Sequence, residues 1–208
     1  MEKTYIIGSV RESEKSVSVE VITPSGEVKK LRMTTAMWSG FDIPSGDVIP
    51  RDTYLALKAL AEKCEAVTRA IRVIADAPHS YASLHRKLTE KGFSKEAVDA
   101  AIAIVKRRGL IDEAAQAEII AERMVRTKHR GPARVATDLC VKGYPKSVAQ
   151  AAADSVDYAA YREALRINLE RKCHGTAPTD KKEREKLTLS LVRLGFSTSE
   201  IIRALEEI

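Results

Sequence analysis

The sequence predicts a mainly α protein: three tandem three-helix repeats forming an elongated solenoid, its curvature left open, behind a small N-terminal β-hairpin region. Three observations carry this expectation. One short motif recurs as Lys91-Gly92-Phe93, Lys142-Gly143-Tyr144 and Leu194-Gly195-Phe196, its glycines 51 and then 52 residues apart, and a fixed period of that size marks a repeat architecture. The flanks keep the same register: Leu88, Leu139 and Leu191 stand four residues before each glycine, Leu84, Val135 and Leu187 eight before, and Val98, Ala149 and Ile201 six after. Further on, Ala101, Ala152 and Ala204, then Ile102, Ala153 and Leu205, then Val105, Val156 and Ile208 continue the match. These offsets put apolar residues on one face of a helix before the glycine and of another after it. Thirdly, residues 1–50 break the helical period, with Val17, Val19 and Val21 alternating with Ser18 and Glu20.

The glycine ends the first of those helices. A helix often stops on a residue in the left-handed region, where any Cβ costs ~1–2 kcal/mol. The aromatic after it is placed to fold back on the last turn, and burying it contributes roughly 1.5–3 kcal/mol.

Taken in order, residues 17–21 read as a half-buried strand, and Thr23-Pro24-Ser25-Gly26 as a turn with proline second and glycine fourth. Residues 28–33 return as the partner strand, and Tyr5-Ile6-Ile7 is a candidate third. Two strands alone are marginal, so Trp38, Phe41 and Ile43 are assigned to a contact with a neighbour. A stacking role for Trp38 on nucleic acid is the alternative. Pro44-Ser45-Gly46-Asp47 makes a second turn.

The first repeat covers residues 51–111. Asp52 or Thr53 caps a long helix to about Ala75, with Leu57, Leu60, Ala61, Cys64, Ile71 and Ile74 at helical spacing. Ser80 caps the second helix and Ser94 the third, which Gly109 closes. The second repeat covers 112–156, opening at Asp112, with Pro132 and Pro145 starting its later helices. The third covers 157–208, opening at Asp157. A polar link from Cys173 to Asp180, holding Gly175 and Pro178, is its natural joint, and two helices follow at about 182–194 and 197–207. Units of about fifty residues bury a modest share of their surface and lean on their neighbours.

Composition narrows the function classes. The chain has 208 residues, and no apolar run approaches the length of a membrane span. Residues 1–4 carry no secretory pattern. Cys64, Cys140 and Cys173 form no CxxC pair, which fits thiols acting as small hydrophobes in a reducing, cytoplasmic setting. Cys173-His174 lacks a second ligand pair for a metal. The sequence contains no P-loop, HExxH, GxSxG or dinucleotide fingerprint, and His79, His85, His129 and His174 are scattered. The expectation is a monomeric binding protein without cofactor, not an enzyme.

Charge supplies the functional signal. The net charge is +6, and residues 51–111 hold twelve basic against seven acidic side chains. Arg86 and Lys87 lie on one helix, and Lys106-Arg107-Arg108 closes the next. Cations at a helix C-terminus also suit its dipole, which accounts for 106–108 without a partner. Arg123, Arg126, Lys128, Arg130 and Arg134 follow with no acid between them and cross a helix boundary. A polyanion or an acidic protein surface is the partner this asymmetry favours.

The segment Ser80-Tyr81-Ala82-Ser83-Leu84 through Leu88 to Lys91-Gly92-Phe93 resembles the bacterial RecX family. So do Gly109-Leu110-Ile111-Asp112-Glu113 and the stretch from Gly131 through Leu139 to Lys142-Gly143-Tyr144. His79 stands where the family has Arg, Ser83 where it has Glu, and Gln116 where it has an aromatic. The resemblance covers about residues 51–208. It implies tandem three-helix repeats and a modulator of the recombinase RecA, bound in the groove of RecA filaments on DNA. Such a protein inhibits strand exchange, ATP hydrolysis and the coprotease step of the SOS response. The ten basic residues named above are then the RecA- and DNA-facing set. The competing reading is a free-standing helical DNA-binding protein, which binds DNA without RecA and with a steep salt dependence. An unrelated helical scaffold is a third.

Overall fold

The computed structural model describes residues 4–41, 43–173, 178 and 180–207. Ile208, the joint residues His174 and Gly175 with their neighbours 176, 177 and 179, and residues 1–3 lie outside this set. Ten helices and four strands follow one another in the described residues. The chain divides into two compact units, one of residues 1–79 and 84–111, the other of residues 80–83 and 112–208.

The first unit opens with a sheet. Strands β1 (Tyr5–Glu12), β2 (Ser16–Ile22), β3 (Val28–Thr34) and β4 (Val48–Ile49) lie in the order β3-β2-β1-β4, all antiparallel. The expected hairpin is its centre, with Val17 opposite Met33 and Val19 opposite Leu31. Alternation does what the sequence asks: Val17, Val19 and Val21 are fully buried, while Lys30 and Arg32 face outward. A register shift at Gly8 bends β1, and the turn at 44–47 closes back on it through Gly46 N–H to the Ile7 carbonyl, 2.7 Å. That return brings in β4, a strand too short to show a period in sequence.

Helix α1 (Thr35–Trp38) begins at Thr34, whose hydroxyl accepts from the Met37 N–H. Trp38 is 3% exposed and stacks on Phe41 at 6.3 Å. It belongs to the sheet core with Phe41 and Ile43 packed against it, which removes it from the stacking candidates.

Helix α2 (Arg51–Asp76) serves two partners. Tyr54, Leu57 and Ala61 join the sheet core, with Tyr54 stacked on Tyr5 at 4.2 Å. Ala66 and Ala70 are buried further along, where α2 packs on α4 (Lys95–Arg107). Two expectations are corrected here. The cap is Pro50, not Asp52 or Thr53, and it makes no side-chain cap bond; proline's preset φ starts the helix earlier, and Asp52 sits in the first turn, where its charge suits the dipole. Ile71 is exposed, because the alanine face, which lets α4 approach closely, turns it outward.

Helix α3 (Tyr81–Glu90) buries Leu84 and Leu88, and α4 buries Ala97, Val98, Ala101 and Val105. Ser94 caps α4, accepting from Ala97 N–H, and its own N–H is bound by the Glu62 carboxylate at 2.7 Å.

The second unit holds α5 (Glu113–Lys128), α6 (Pro132–Val141), α7 (Lys146–Asp154), α8 (Tyr158–Cys173), α9 (Lys181–Arg193) and α10 (Thr198–Glu206). One continuous core joins them: Ile120, Val125, Val135, Leu139, Leu165, Leu169, Leu191 and Ile201 are among its members. Asp112 caps α5, and Ser197 caps α10 in a full capping box with Glu200. The turn after α6 takes the expected form: Gly143 has φ +90°, its N–H bonds the Cys140 carbonyl, and the Tyr144 N–H bonds the Leu139 carbonyl. Gly92 and Gly195 share the conformation at +86° and +96°.

Candidate functional site

None of the ten predicted basic residues is deeply buried, and they fall into two sets, one per unit. In the first unit Arg86 and Lys87 lie exposed on α3, with Arg86 reaching Glu90 at 3.8 Å. Lys106, Arg107 and Arg108 are exposed at the C-terminal end of α4, where the helix dipole favours them whatever the partner.

In the second unit α5 carries Arg123, Arg126 and Lys128 on its outer side, and the chain then turns sharply. His129 takes a left-handed conformation, φ 49°, in place of the usual glycine, and its carbonyl is held by the Asn168 amide at 2.8 Å. Arg130 and Arg134 flank the start of α6 at Gly131. The charges are not equally available. Arg134 is bound to Asp138 at 2.8 Å, and Arg126 is 3.7 Å from Glu122. The Arg130 Nε is occluded without a hydrogen-bond partner. Arg123 and Lys128 have no carboxylate within ion-pair distance among the described residues. The sequence showed no acid inside 123–134; the helical turn brings in acids from just outside it or within α6, at i±4.

Further cations went unread. On the outer face of the sheet Arg11 and Arg32 stand on either side of Ser18, one on each neighbouring strand. The alternating Lys30-Leu31-Arg32-Met33 was the available signal. Beside α2 and α3, a cavity of about 380 Å³ is lined by Arg69, Lys87, Lys91, Asp76, Glu90 and His79. Partial burial, with Lys87 nearby, pushes the His79 imidazole below its ordinary pKa. Along α8 and α10 a groove of about 650 Å³ has Leu165, Leu169 and Phe196 among its lining. Charges on its rim are paired: Arg162 meets Glu207 at 3.4 Å, and Arg166 binds both Glu163 and Glu170. The Arg166 hydrogen bond holds the Glu163 carboxyl below the usual carboxylate range.

Comparison with known proteins gives the set its context. Residues 66–103 match the first three-helix domain of RecX. Over 138 residues the chain is 33% identical to the regulatory protein RecX of Stenotrophomonas maltophilia (strain R551-3), covering 66% of this chain and 83% of that protein. The chain belongs to the RecX family. The regulatory protein RecX of Chlorobaculum tepidum is 29% identical over 135 residues, 65% of this chain and 82% of its own length. Two crystal structures share the fold. One, of a regulatory protein RecX, has a TM-score of 0.74 at 17% identity, covering 98% of this chain and 100% of that one. The other, RecX from Lactobacillus salivarius, has a TM-score of 0.62 at 19% identity, covering 71% of this chain and 98% of that one. The matched RecX domain includes Arg86 and Lys87 and ends before Lys106-Arg107-Arg108. Among the described residues no helix is long and apolar enough to cross a membrane.

Proposed function

We propose that this RecX-family protein is a cytoplasmic regulator that binds RecA filaments on DNA and restrains them, lowering strand exchange, ATP hydrolysis and SOS coprotease activity. The observation that carries the reading is its kinship with proteins named regulatory protein RecX, 33% identical over most of the relative's length. The excess of exposed cations supports it, because a filament of protein on DNA presents phosphates to a partner lying in its groove. Arg86, Lys87 and 106–108 form one proposed contact set and 123–134 the other. Arg123 and Lys128 carry most of the second, since Arg126 and Arg134 already have carboxylate neighbours.

The test is RecA-driven ATP hydrolysis on single-stranded DNA, with and without the protein. Hydrolysis falls with added protein, and Arg123→Glu with Lys128→Glu weakens that effect roughly tenfold or more, as lost phosphate contacts do. An unchanged rate on adding the protein rejects the filament reading. Binding to DNA alone as tightly as to the filament, with steep salt dependence, favours the free-standing DNA binder instead.

A further inference from the structure

The sheet of the first unit ends in two unlike edges. On one side β4 is two residues long. On the other, β3 lies opposite β2 through seven consecutive pairs with no register shift. The phase of that ladder follows from its turn. The Thr23 N–H donates to the Glu27 carbonyl at 2.9 Å, so 23 and 27 are a bonded pair, and bonded pairs alternate along an antiparallel ladder. Lys29, Leu31 and Met33 therefore bond to β2, while Val28, Lys30 and Arg32 turn their N–H and C=O groups away from it. Those groups have no hydrogen-bond partner among the described residues. An unbulged, proline-free edge of this length is a template for another strand.

The side chains of the same three residues end rows that cross the outer face of the sheet. Val48, Ile6, Ile22 and Val28 stand side by side on all four strands, and Val48, Ile6 and Val28 are 61%, 37% and 57% exposed. Ser9, Glu20 and Lys30 form the next row, in which the Glu20 carboxylate accepts from the Ser9 hydroxyl at 2.9 Å. Arg11, Ser18 and Arg32 form the third. Lys30 and Arg32 are exposed, with no carboxylate within ion-pair distance among the described residues. At the open edge the rows thus stop on one aliphatic and two cations.

We propose that the β3 edge binds an extended acidic segment of a partner protein as a fifth, antiparallel strand. Its carboxylates lie opposite Arg32 and Lys30, and a β-branched residue lies opposite Val28. Main-chain bonds hold such an added strand, and its alternate side chains decide which segment is taken. Opposite charges directly across a ladder attract, and like charges repel. The site lies outside the ten cations of the proposed filament contact and does not rest on that reading.

The same charges turn away a second copy of β3. Two-fold pairing must match outward positions with outward positions. Every such register with three or more matched positions sets Lys30 against Lys30, Lys30 against Arg32, or Arg32 against Arg32. The chain also holds no spare acidic strand among its described residues. Glu12 and Glu20 are already within the sheet, Glu14, Glu27 and Asp47 lie in its connections, and every later acid lies in a helix or beside a helix end.

The experiment uses the full chain, labelled with nitrogen-15, and the capped synthetic peptide Thr-Thr-Glu-Val-Glu-Thr-Ile. Paired antiparallel, its glutamates meet Arg32 and Lys30 and its isoleucine meets Val28. In the free protein the Lys30 and Arg32 amides exchange fast, while those of Lys29 and Leu31 are protected; saturating peptide slows exchange at 30 and 32 about tenfold or more. A peptide of the same composition with its glutamates adjacent sets only one of them on the outer face and binds about two- to fivefold more weakly. A chain with Lys30→Glu and Arg32→Glu loses the acidic peptide and takes one with lysines in place of the glutamates. No slowing at 30 and 32 at millimolar peptide overturns the proposal, as do equal affinities for the two acidic peptides. Protection of those amides in the free protein, with sedimentation as a dimer, would give the edge to a second copy and overturn it too. Oligothymidylate binding this face more tightly than the acidic peptide would do the same.

Discussion

Replacing Gly131 by alanine isolates the backbone-to-backbone contact at the start of α6. Gly131 has φ −81° and ψ 168°, a conformation open to any residue, so the substitution strains no dihedral. The added Cβ would lie 2.4 Å from the Gly195 carbonyl carbon and 2.6 Å from the Phe196 nitrogen. Both are backbone atoms and cannot swing aside. Separation weakens two hydrogen bonds, Gly131 N–H to Leu194 and Ala133 N–H to Gly195, at about 0.5–1.5 kcal/mol each. Forcing extra volume into a packed site adds about 1–3 kcal/mol, and the stiffer unfolded chain returns about 0.4–1 kcal/mol. The net loss is about 1–6 kcal/mol, a large part of a typical stability of about 5–15 kcal/mol. Gly92→Ala is the control: it meets open space and carries only the left-handed penalty, about 1–2 kcal/mol. Urea unfolding followed by circular dichroism ranks the two, and hydrogen exchange at residue 131 reads the junction locally. A Gly131→Ala loss below about 0.5 kcal/mol, or below that of Gly92→Ala, refutes the steric account.

Ser80→Ala loses the α3 cap and the bond to the Lys142 carbonyl together, costing about 1–3 kcal/mol; Ser80→Thr keeps most of it, and identical melting of wild type and Ser80→Ala would contradict this. His129→Gly removes a left-handed Cβ and raises the unfolding free energy by up to about 1 kcal/mol, seen as a higher urea midpoint; a lowered midpoint would show that the imidazole itself is needed. Tyr161 is buried, donates to the Ala153 carbonyl at 2.8 Å, and has its phenol pKa pushed up to about 12. Because its unfolded value is about 10, its contribution to stability is whole below pH 10 and is lost as pH rises toward 12. Burial pushes Tyr81 and Tyr144 the same way, so Tyr161→Phe flattens the alkaline fall in the urea midpoint only in part. An unaltered slope would mean that Tyr161 does not titrate with unfolding.

The helical frame was legible because its punctuation is local. Ser80, Ser94, Asp112 and Ser197 cap where their side chains can reach an N–H three residues on, and Gly92, Gly143 and Gly195 need a backbone region that other residues avoid. What escaped was set by distant partners. Ile71 obeys the helical period yet is exposed, because α4 chose the alanine face of α2. His129 occupies a glycine conformation, made tenable by a carboxamide 39 residues away. Strand β4 exists because the 44–47 turn is held to β1. The cationic set suffered in the same way: a run without acids in sequence gained Glu122 and Asp138 once it coiled.

Helix α2 is 26 residues long, about 39 Å, and its two halves answer to different masters. A shortened relative that dispenses with the N-terminal strands would leave the first half wet. Positions equivalent to Tyr54, Leu57 and Ala61 must then turn hydrophilic, or the rod must begin later, while those equivalent to Ala66 and Ala70 stay small.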